Sequence, residues 1–443
     1  MILKGNQRAG GRQMALHLLN GEQNEHVSVH EVRGFVADNV MGALNEAYAL
    51  SKGTKCKQFM YSLSLNPPEE AKVSIEEFEK AIARVEKKLG LEGQPRVVVF
   101  HEKEARRHAH CVWSRIDTHE MKAINISHPK LKLNSISQSL YIEHGWKLPE
   151  GFKDKSLKNP LNYTRAEWQQ AARTEQNPKT IKAALQECWD ITTCKTGFER
   201  ILSERGYYLA KGDRRGFVAI DIYGEVYSLT RQLGVKKKDL EERLGKAESL
   251  NPVCEIKDKI SNQLSNVFKN FLDEHNKHHQ KKLQPLLETK QAMTLQHQKD
   301  RASQNAYQEK RWHEEELKRS ARIRRGFKGI WDKLSGKYWK SRKQNEQETW
   351  KCYMRDQKER EELIFKQLNQ RKELQLYINQ LKAEQEQSRQ ELIRDLSHIS
   401  KNEDVKSMHA PDFNALREIS PAPSQQRDLK AYANPDIDLE PEI

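Results

Sequence analysis

Hydrophobic and polar positions in the first 150 residues follow two periods, one typical of helices and one typical of strands. Apolar residues repeat at helical spacing from Ile75 to Leu89, and Ser74 directly before them is a typical N-cap. Helices are also expected near Gln13 to Leu19 and Val40 to Leu50. Alternating runs predict strands in HVSVHEVRGF and KQFMYSLSL. Residues 1–150 are therefore predicted to be α+β, with helices packed on a mainly antiparallel sheet.

The clearest strand pair is a hairpin that carries three histidines. RVVV at residues 96–99 and the alternating run HAHCVWSRI predict two strands joined by the polar turn EKEARR. Successive side chains of a strand point to opposite faces, so His108 and His110 share a face, and His101 ends the neighbouring strand. The three imidazoles can converge. Glu102 and Glu104 fall in the turn, where either could orient a ligand and Glu102 is expected to be a solvated charge.

Three neutral imidazoles form a ligand set for a divalent transition metal and leave coordination positions open for water or substrate. This arrangement suits a catalytic metal better than a closed structural site. Ligand chemistry alone favours Zn²⁺ or Mn²⁺ over Mg²⁺, which prefers oxygen ligands. The alternative is an ordinary polar strand surface, since the chain has 16 histidines and some will cluster by chance.

Beyond residue 150 the pattern changes repeatedly. Residues 151–177 carry Pro and Lys and are typical of a linker, whereas 178–250 predict a small α/β module. Residues 251–400 are rich in Lys, Glu, Gln and Arg, which indicates long helices with coiled-coil tendency that could self-associate. A basic, tryptophan-bearing interruption at 326–343 could lie on a membrane, contact DNA or simply break the helix. Residues 401–443 are expected to be a disordered acidic tail.

The composition favours a polyanionic partner. Of 443 residues, 77 are Lys or Arg and 63 are Asp or Glu, which gives a formal net charge of +14. Nucleic acid is the first candidate and an anionic membrane the second. The six cysteines form no CxxC pair, and the chain has neither an apolar signal core nor an apolar run of about 18 residues. We therefore expect a cytoplasmic protein with reduced thiols.

Two further stretches are candidates for contact with DNA. GNQRAGGRQ, after a short strand predicted at Met1 to Lys4, combines basic residues with glycines that let a backbone approach phosphates. Lys211, Arg214 and Arg215 concentrate charge at one turn beside aromatic residues, as backbone contact with base stacking would require. The alternative for that turn is an ordinary hairpin whose aromatic side chains belong to the core.

HEKEARRHAH followed by CVWSRID resembles the third motif of plasmid mobilisation relaxases, the Mob P class of the HUH endonuclease superfamily. The N-terminal order of glycine-rich basic start, short helix, strand and helix is similar too. The resemblance implies a bacterial enzyme that nicks one DNA strand at a plasmid origin of transfer and becomes covalently attached to the 5′ phosphate. It also implies accessory mobilisation proteins and export with the strand through a type IV secretion coupling protein.

By the same resemblance, His101, His108 and His110 hold Mg²⁺ or Mn²⁺ over the scissile phosphate. The nucleophile departs from the commonest pattern, because this chain has His17 where many relaxases have a tyrosine. Histidine can act as a nucleophile toward phosphorus and form a phosphoramidate. Tyr61 is the alternative nucleophile.

The resemblance also implies roles for residues near the metal. Glu104 stands where similar relaxases often carry an acid near the metal. Ser62 and Ser64 resemble the second motif, where a hydroxyl helps to position DNA. Charge adds candidates for phosphate contact, which are Arg12, Lys55, Lys57 and Arg115.

Other functions stay open at this point. A hydrolase with a three-histidine zinc site would use a metal-bound water and form no covalent adduct. A rolling-circle replication initiator would belong to the same superfamily. In a non-catalytic single-stranded-DNA-binding assembly protein, the histidine cluster would be incidental.

Overall fold

The computed structural model describes residues 1–21, 24–153, 159–174, 176–213, 216–263, 266–324 and 326–401. The chain divides into two compact units. The first comprises Met1–Leu157 and Lys290–Tyr377, and the second comprises Lys158–Thr289 and Ile378–Ile443. The N-terminal region and a large part of the C-terminal helices therefore belong to one unit.

The first unit is built on a sheet whose strands alternate with helices. Its elements up to residue 153 are, in chain order, β1 (Ile2–Arg8), α1 (Gly11–Leu18), β2 (His26–Arg33), α2 (Val40–Ser51), β3 (Met60–Asn66), α3 (Ile75–Leu89), β4 (Arg96–Lys103), β5 (Arg106–Ser114), β6 (Ile116–Asp117), β7 (Lys122–Ala123), α4 (Pro129–Glu143) and α5 (Glu150–Lys153). Strands β1 to β5 form a five-stranded sheet in the order β1-β3-β5-β4-β2, with every neighbouring pair antiparallel. The predicted fold class, a mainly antiparallel sheet flanked by helices, is confirmed.

Each face of this sheet has its own hydrophobic core. The front face, which we define by Val97, Val99 and Val112, is covered by α1 and α2. The opposite, back face is covered by α3 and α4. The back-face core contains Tyr61, Leu63, Phe78, Ile82, Val98, Phe100, Ala109, Trp113 and Leu133, among others.

Helix α3 begins at the N-cap that the sequence predicts. The Ser74 side chain accepts a hydrogen bond from the backbone N–H of Glu77, and the Glu77 carboxylate accepts one from the backbone N–H of Ser74. This capping box satisfies two N–H groups of the first turn. Gly90 ends the helix with a φ of 71°, in the left-handed region that favours glycine.

The second unit contains the small α/β module. Its elements before residue 264 are α6 (Arg165–Ala172), α7 (Pro178–Asp190), α8 (Lys195–Glu204), β8 (Tyr207–Lys211), β9 (Phe217–Asp221), β10 (Val226–Ser228), α9 (Leu229–Leu233), α10 (Lys237–Leu244), a turn of 3₁₀ helix (Ala247–Ser249) and α11 (Val253–Gln263). Strands β8 to β10 form an antiparallel sheet in the order β10-β9-β8. Tyr207 at the start of β8 and Phe217 at the start of β9 are buried in the core of this module.

The C-terminal helices are α12 (Asn266–Ala321), α13 (Phe327–Leu334) and α14 (Lys337–Lys401), as the long-helix prediction requires. Within the first unit α12 and α14 run antiparallel, because Lys290 contacts Gln375 near one end and Arg311 contacts Asp356 nearer the other. We call residues 290–321 and 337–377 the helical arm. No helix in the described ranges has an apolar stretch long enough to cross a membrane. Apart from Lys401, the predicted acidic tail lies outside the described residues.

Two glycines of the GNQRAGGRQ stretch are explained by packing. Gly5 lies within β1, which extends beyond the predicted Met1–Lys4 strand, and a Cβ there would lie 2.1 Å from Oη of Tyr61. Gly11 begins α1, where a Cβ would lie 2.5 Å from the carbonyl oxygen of Leu44 in α2. A side chain at either position would push neighbouring elements apart.

Candidate active site

The three histidines of the β4–β5 hairpin converge on the front face. His101 is paired with His108 across the two strands, and His110 lies opposite Val99 of β4 and Ser64 of β3. The ring centroids are 5.4 Å apart for His101 and His108, 4.6 Å for His101 and His110, and 5.1 Å for His108 and His110. One ligand nitrogen per ring lies within 4.8 Å of the other two. That spacing fits one metal ion held by three imidazoles.

The surroundings keep these imidazoles neutral. Burial, reinforced by neighbouring cationic and histidine groups, lowers the pKa of His108 to about 4 and that of His110 to about 2. Burial also lowers the pKa of His101. Neutral imidazole is the form that binds a metal, so all three rings are available as ligands near neutral pH.

A backbone carbonyl orients His101. Its Nε2 lies 2.7 Å from the carbonyl oxygen of Leu18, the last residue of α1. Because a carbonyl oxygen only accepts hydrogen bonds, Nε2 carries the proton and Nδ1 keeps the lone pair that a metal needs. Helix α1 therefore fixes the tautomer of a ligand in β4, and the donor set fits a divalent metal.

The last turn of α1 brings a fourth histidine to the cluster. The ring centroid of His17 lies 5.9 Å from that of His110, in an edge-on arrangement. His17 is exposed, whereas Met14, Ala15 and Leu18 of the same helix are buried in the front-face core. Packing of the buried side of α1 against the sheet therefore fixes the position of His17 on the exposed side of the helix.

A family model for the relaxase nuclease domain of the MobA/VirD2-like type matches residues 17–146. The matched span begins at His17 and contains His101, His108 and His110. The chain carries a relaxase nuclease domain. The resemblance to plasmid mobilisation relaxases is thereby confirmed. The chain has no match among curated proteins or solved structures.

Tyr61 of the relaxase domain points away from the histidine cluster. Because side chains alternate along β3, it lies on the back face with Leu63 and Phe100. Its side chain is fully buried, its Oη has no hydrogen-bond partner in the described part of the chain, and burial raises its pKa to about 12. A buried neutral phenol on the opposite face cannot attack a phosphate at the histidines. The prediction of Tyr61 as an alternative nucleophile is wrong.

Ser62 and Ser64 lie on the same face as the histidines. In the ladder between β3 and β5, Ser64 is paired with His110 and Ser62 with Val112. Both serines are partly exposed, and the Ser64 hydroxyl accepts a hydrogen bond of 2.8 Å from Nδ2 of Asn66. The structure therefore brings the two serines to the cluster, and their contact with DNA stays a prediction.

Three of the basic residues nominated for the relaxase domain are exposed. Arg12 lies on α1, and Lys55 and Lys57 lie in the loop between α2 and β3. Exposure leaves all three available to a phosphate backbone, and their contact with DNA stays a prediction.

Arg115 is different, because its guanidinium is buried and fully engaged inside the domain. It is 6% exposed and donates hydrogen bonds to the carbonyl oxygens of Gln58 and Ile124, at 2.6 and 2.7 Å, and to Oε1 of Gln7 at 2.9 Å. The side chain ties together the segments before β3, after β7 and within β1. The prediction that Arg115 contacts DNA is wrong.

The two glutamates predicted in the hairpin turn occupy different places. Glu104 does lie in the turn, exposed and with a left-handed φ of 52°, and its carboxylate is not part of the three-histidine group. Glu102 lies within β4, which extends to Lys103, and is 2% exposed. It accepts hydrogen bonds from Arg301 and Arg371 of the helical arm. The expectation of a solvated charge at Glu102 is wrong.

The predicted DNA contacts outside the relaxase domain lie in the second unit. Lys211 is exposed at the end of β8. Arg214 and Arg215 lie outside the described residues. A role for this turn in DNA binding stays a prediction.

Proposed function

We propose that this protein is a DNA relaxase that nicks one strand at a plasmid origin of transfer and stays attached to the 5′ phosphate. The observation that carries the proposal is the position of His17, 5.9 Å from His110 and beside three neutral imidazoles. The matched nuclease domain supports the reaction class, and the net charge of +14 suits a DNA substrate.

His101, His108 and His110 would hold the divalent metal, for which we propose Mn²⁺ or Mg²⁺. When bound, the ion would neutralise charge that develops on the non-bridging oxygens of the scissile phosphate. An all-imidazole donor set suits Mn²⁺ better than the harder Mg²⁺, and it suits Zn²⁺ as well. The contact between His101 and the carbonyl of Leu18 would keep the ligand nitrogen pointing into the site.

His17 would supply the nucleophile. An unprotonated ring nitrogen attacks phosphorus, and the N–P bond forms as the P–O3′ bond breaks. The 3′ oxygen takes up a proton and leaves as a hydroxyl, while the proton on the other ring nitrogen of His17 is released to solvent. The strand is then held by its 5′ phosphate as a phosphoramidate, and attack by a 3′ hydroxyl reverses the step.

Residues on the front face would position the strand. Ser62 and Ser64 would contact DNA beside the histidines, and Arg12, Lys55 and Lys57 would contact its phosphates. The attached protein would then pilot the strand out of the donor cytoplasm with accessory mobilisation proteins and a type IV secretion coupling protein. Self-association through the C-terminal helices is part of the same proposal.

The test uses full-length protein, Mn²⁺ and supercoiled plasmids that carry DNA segments flanking its coding sequence. The products are digested without acid, because a histidine phosphoramidate is acid-labile, and any nucleotide-linked peptide is identified by mass spectrometry. We expect an adduct on His17, and we expect His17→Ala to lose both adduct and nicking. His30→Ala is the matched control, because the ring of His30 contacts Phe100 on the back face.

Each other result contradicts a defined part of the proposal. An adduct on another residue would keep the relaxase function and remove His17 as the nucleophile. Nicking without any adduct would favour the metal-dependent hydrolase. Retained DNA binding without nicking of any segment would favour the non-catalytic binding protein.

A further inference from the structure

The turn of the helical arm carries an apolar surface that no described residue covers. We call residues 322–343 the tip. Within the tip, helix α13 presents Phe327, Ile330, Trp331 and Leu334, whose side chains are 93%, 58%, 71% and 78% exposed. Their spacing of three, four and seven residues places them on one side of the helix. Contiguous exposed apolar surface of this kind marks an interaction site.

The opposite side of α13 is anchored to the chain. Asp332 is 6% exposed and forms an ion pair with Arg324, just before the helix. Gly329 lies against the same segment, where a Cβ would be 2.4 Å from the carbonyl oxygen of Arg324. The helix is therefore held by its polar side, and the apolar side faces outward.

The charge of the tip identifies the kind of partner. Residues 322–343 include nine Lys or Arg residues and a single acidic residue, Asp332, whose charge the ion pair with Arg324 neutralises. Lys328, Lys340 and Lys343 are exposed and form no ion pair in the part of the chain that the structure describes. Trp339 adds an aromatic ring that is 61% exposed. An apolar stripe that includes a tryptophan, on a helix with lysines outside the stripe, is the composition of helices that lie in the surface of an anionic bilayer.

We propose that the tip binds the surface of an anionic phospholipid membrane, with the apolar side of α13 inserted among the headgroups and the basic residues on lipid phosphates. Binding to DNA would engage the cations but leave four apolar side chains in water. Packing against a second copy of the tip would bring Lys328, Lys340 and Lys343, which form no ion pair among the described residues, against the same lysines of the other copy. An anionic bilayer satisfies the apolar and the cationic residues together. The arm would thereby attach the protein to a membrane without a spanning helix.

The test is co-flotation of full-length protein with vesicles of phosphatidylcholine alone or mixed with phosphatidylglycerol. We expect binding to the mixed vesicles that weakens in high salt and falls at least about tenfold in the double variant Trp331→Ser, Leu334→Ser. The matched control is Tyr307→Ser with Leu317→Ser, which removes two side chains of α12 that are 62% and 57% exposed outside the tip. The control should bind like the unmodified protein, and both variants should retain nicking.

Four results would overturn the proposal. The first is no binding to either vesicle, and the second is equal binding by the tip variant and its control. The third is a loss of affinity for a single-stranded oligonucleotide in the tip variant without vesicle binding, which would assign the surface to DNA. The fourth is a concentration-dependent dimer, in place of vesicle binding, that the tip variant abolishes, which would assign it to a second copy.

Discussion

The two faces of the β4–β5 hairpin carry polar side chains in opposite electrostatic states. On the front face, His101, His108 and His110 are neutral, and they form no salt bridge in the described structure. On the back face, Glu102 follows His101 directly in the chain and is charged and buried. Two neighbouring residues of β4 are therefore held in different states, His101 as a neutral ligand group and Glu102 as a buried charge.

Glu102 and the nearby Glu25 form ion pairs with the helical arm. Both carboxylate oxygens of Glu102 accept hydrogen bonds of 2.9 Å from Arg301, and Oε2 accepts another from Arg371. Arg371 also pairs with Glu25 at 2.6 Å, and Lys290 pairs with Glu25 at 2.9 Å. Burial alone would raise the pKa of Glu102, but the two arginines outweigh it and hold the pKa at about 2.

The presence or absence of ion pairs within the chain distinguishes the polar cluster around Glu102, which is structural, from the histidine cluster, which is a binding site. A buried charge is tolerated only when partners neutralise it, and the back face supplies those partners from within the chain. The front face gathers three neutral ligand groups, and none of them forms a salt bridge among the described residues. Neutral imidazoles held close together are what a site for a divalent metal requires.

Removing a histidine from the front face should have the largest effect. His108→Ala is expected to lower nicking at least about 100-fold, because a metal's stabilisation of transition-state charge is worth several kcal/mol. His26→Ala is the matched control, since His26 lies opposite Glu102 in the ladder and its ring stacks on His297 of the arm. Mn²⁺ titration calorimetry and the nicking assay measure the effect. Equal losses in both variants would show that the hairpin, and not the ligand set, had been damaged.

Breaking the back-face cluster should destabilise the hairpin. Arg371→Ala is expected to lower the free energy of unfolding by about 3–5 kcal/mol. It removes one partner of a buried ion pair and leaves the negative charges of Glu102 and Glu25 only partly neutralised. Arg84→Ala removes an exposed pair with Glu143, at 46% and 45% side-chain exposure, and should cost less than about 1 kcal/mol. Hydrogen exchange of the amides in β4 and β5 reports this local stability. Equal protection in the two variants would mean that the arm does not support the hairpin.

Tyr61→Phe should have a small effect and should test the assignment of faces. The hydroxyl has no hydrogen-bond partner among the described residues, so its removal should leave stability unchanged or raise it by about 1 kcal/mol. Nicking should be unaffected because Tyr61 lies on the back face. Loss of the covalent adduct in this variant would contradict the expectation for nicking and the assignment of Tyr61 to the back face.

His108 and Glu102 should also respond to different ranges of pH in the metal-free protein. Because its native pKa is lowered, His108 stays neutral while the unfolded chain binds a proton, so its contribution to stability is complete above pH 6.5 and is lost as the pH falls toward about 4. Glu102 contributes above pH 4.5, and that stability is lost as the pH falls toward about 2. Protection of β4 and β5 amides across pH, in the presence of a chelator, measures both ranges. His108→Ala should reduce the loss of protection between about pH 6.5 and 4, and Glu102→Gln should reduce the loss between about pH 4.5 and 2.

Local sequence patterns determined the elements that form the site. Strand alternation placed His108 and His110 on one face, and the turn between RVVV and HAHCVWSRI brought His101 beside them. Ser74 predicted the start of α3 through its capping box. These features depend on neighbours within a few residues, which is why they could be predicted without the fold.

Only the tertiary structure decided which polar residues serve packing. Glu102 is charged inside the protein because Arg301 and Arg371, 199 and 269 positions away, dock on the back face. Arg115 donates a hydrogen bond to the carbonyl oxygen of Gln58, 57 positions away, and Tyr61 fills the space above Gly5. The role of a charged or aromatic side chain depends on what lies across from it. Alternation determines that a strand has two faces, whereas long-range packing determines what each face meets.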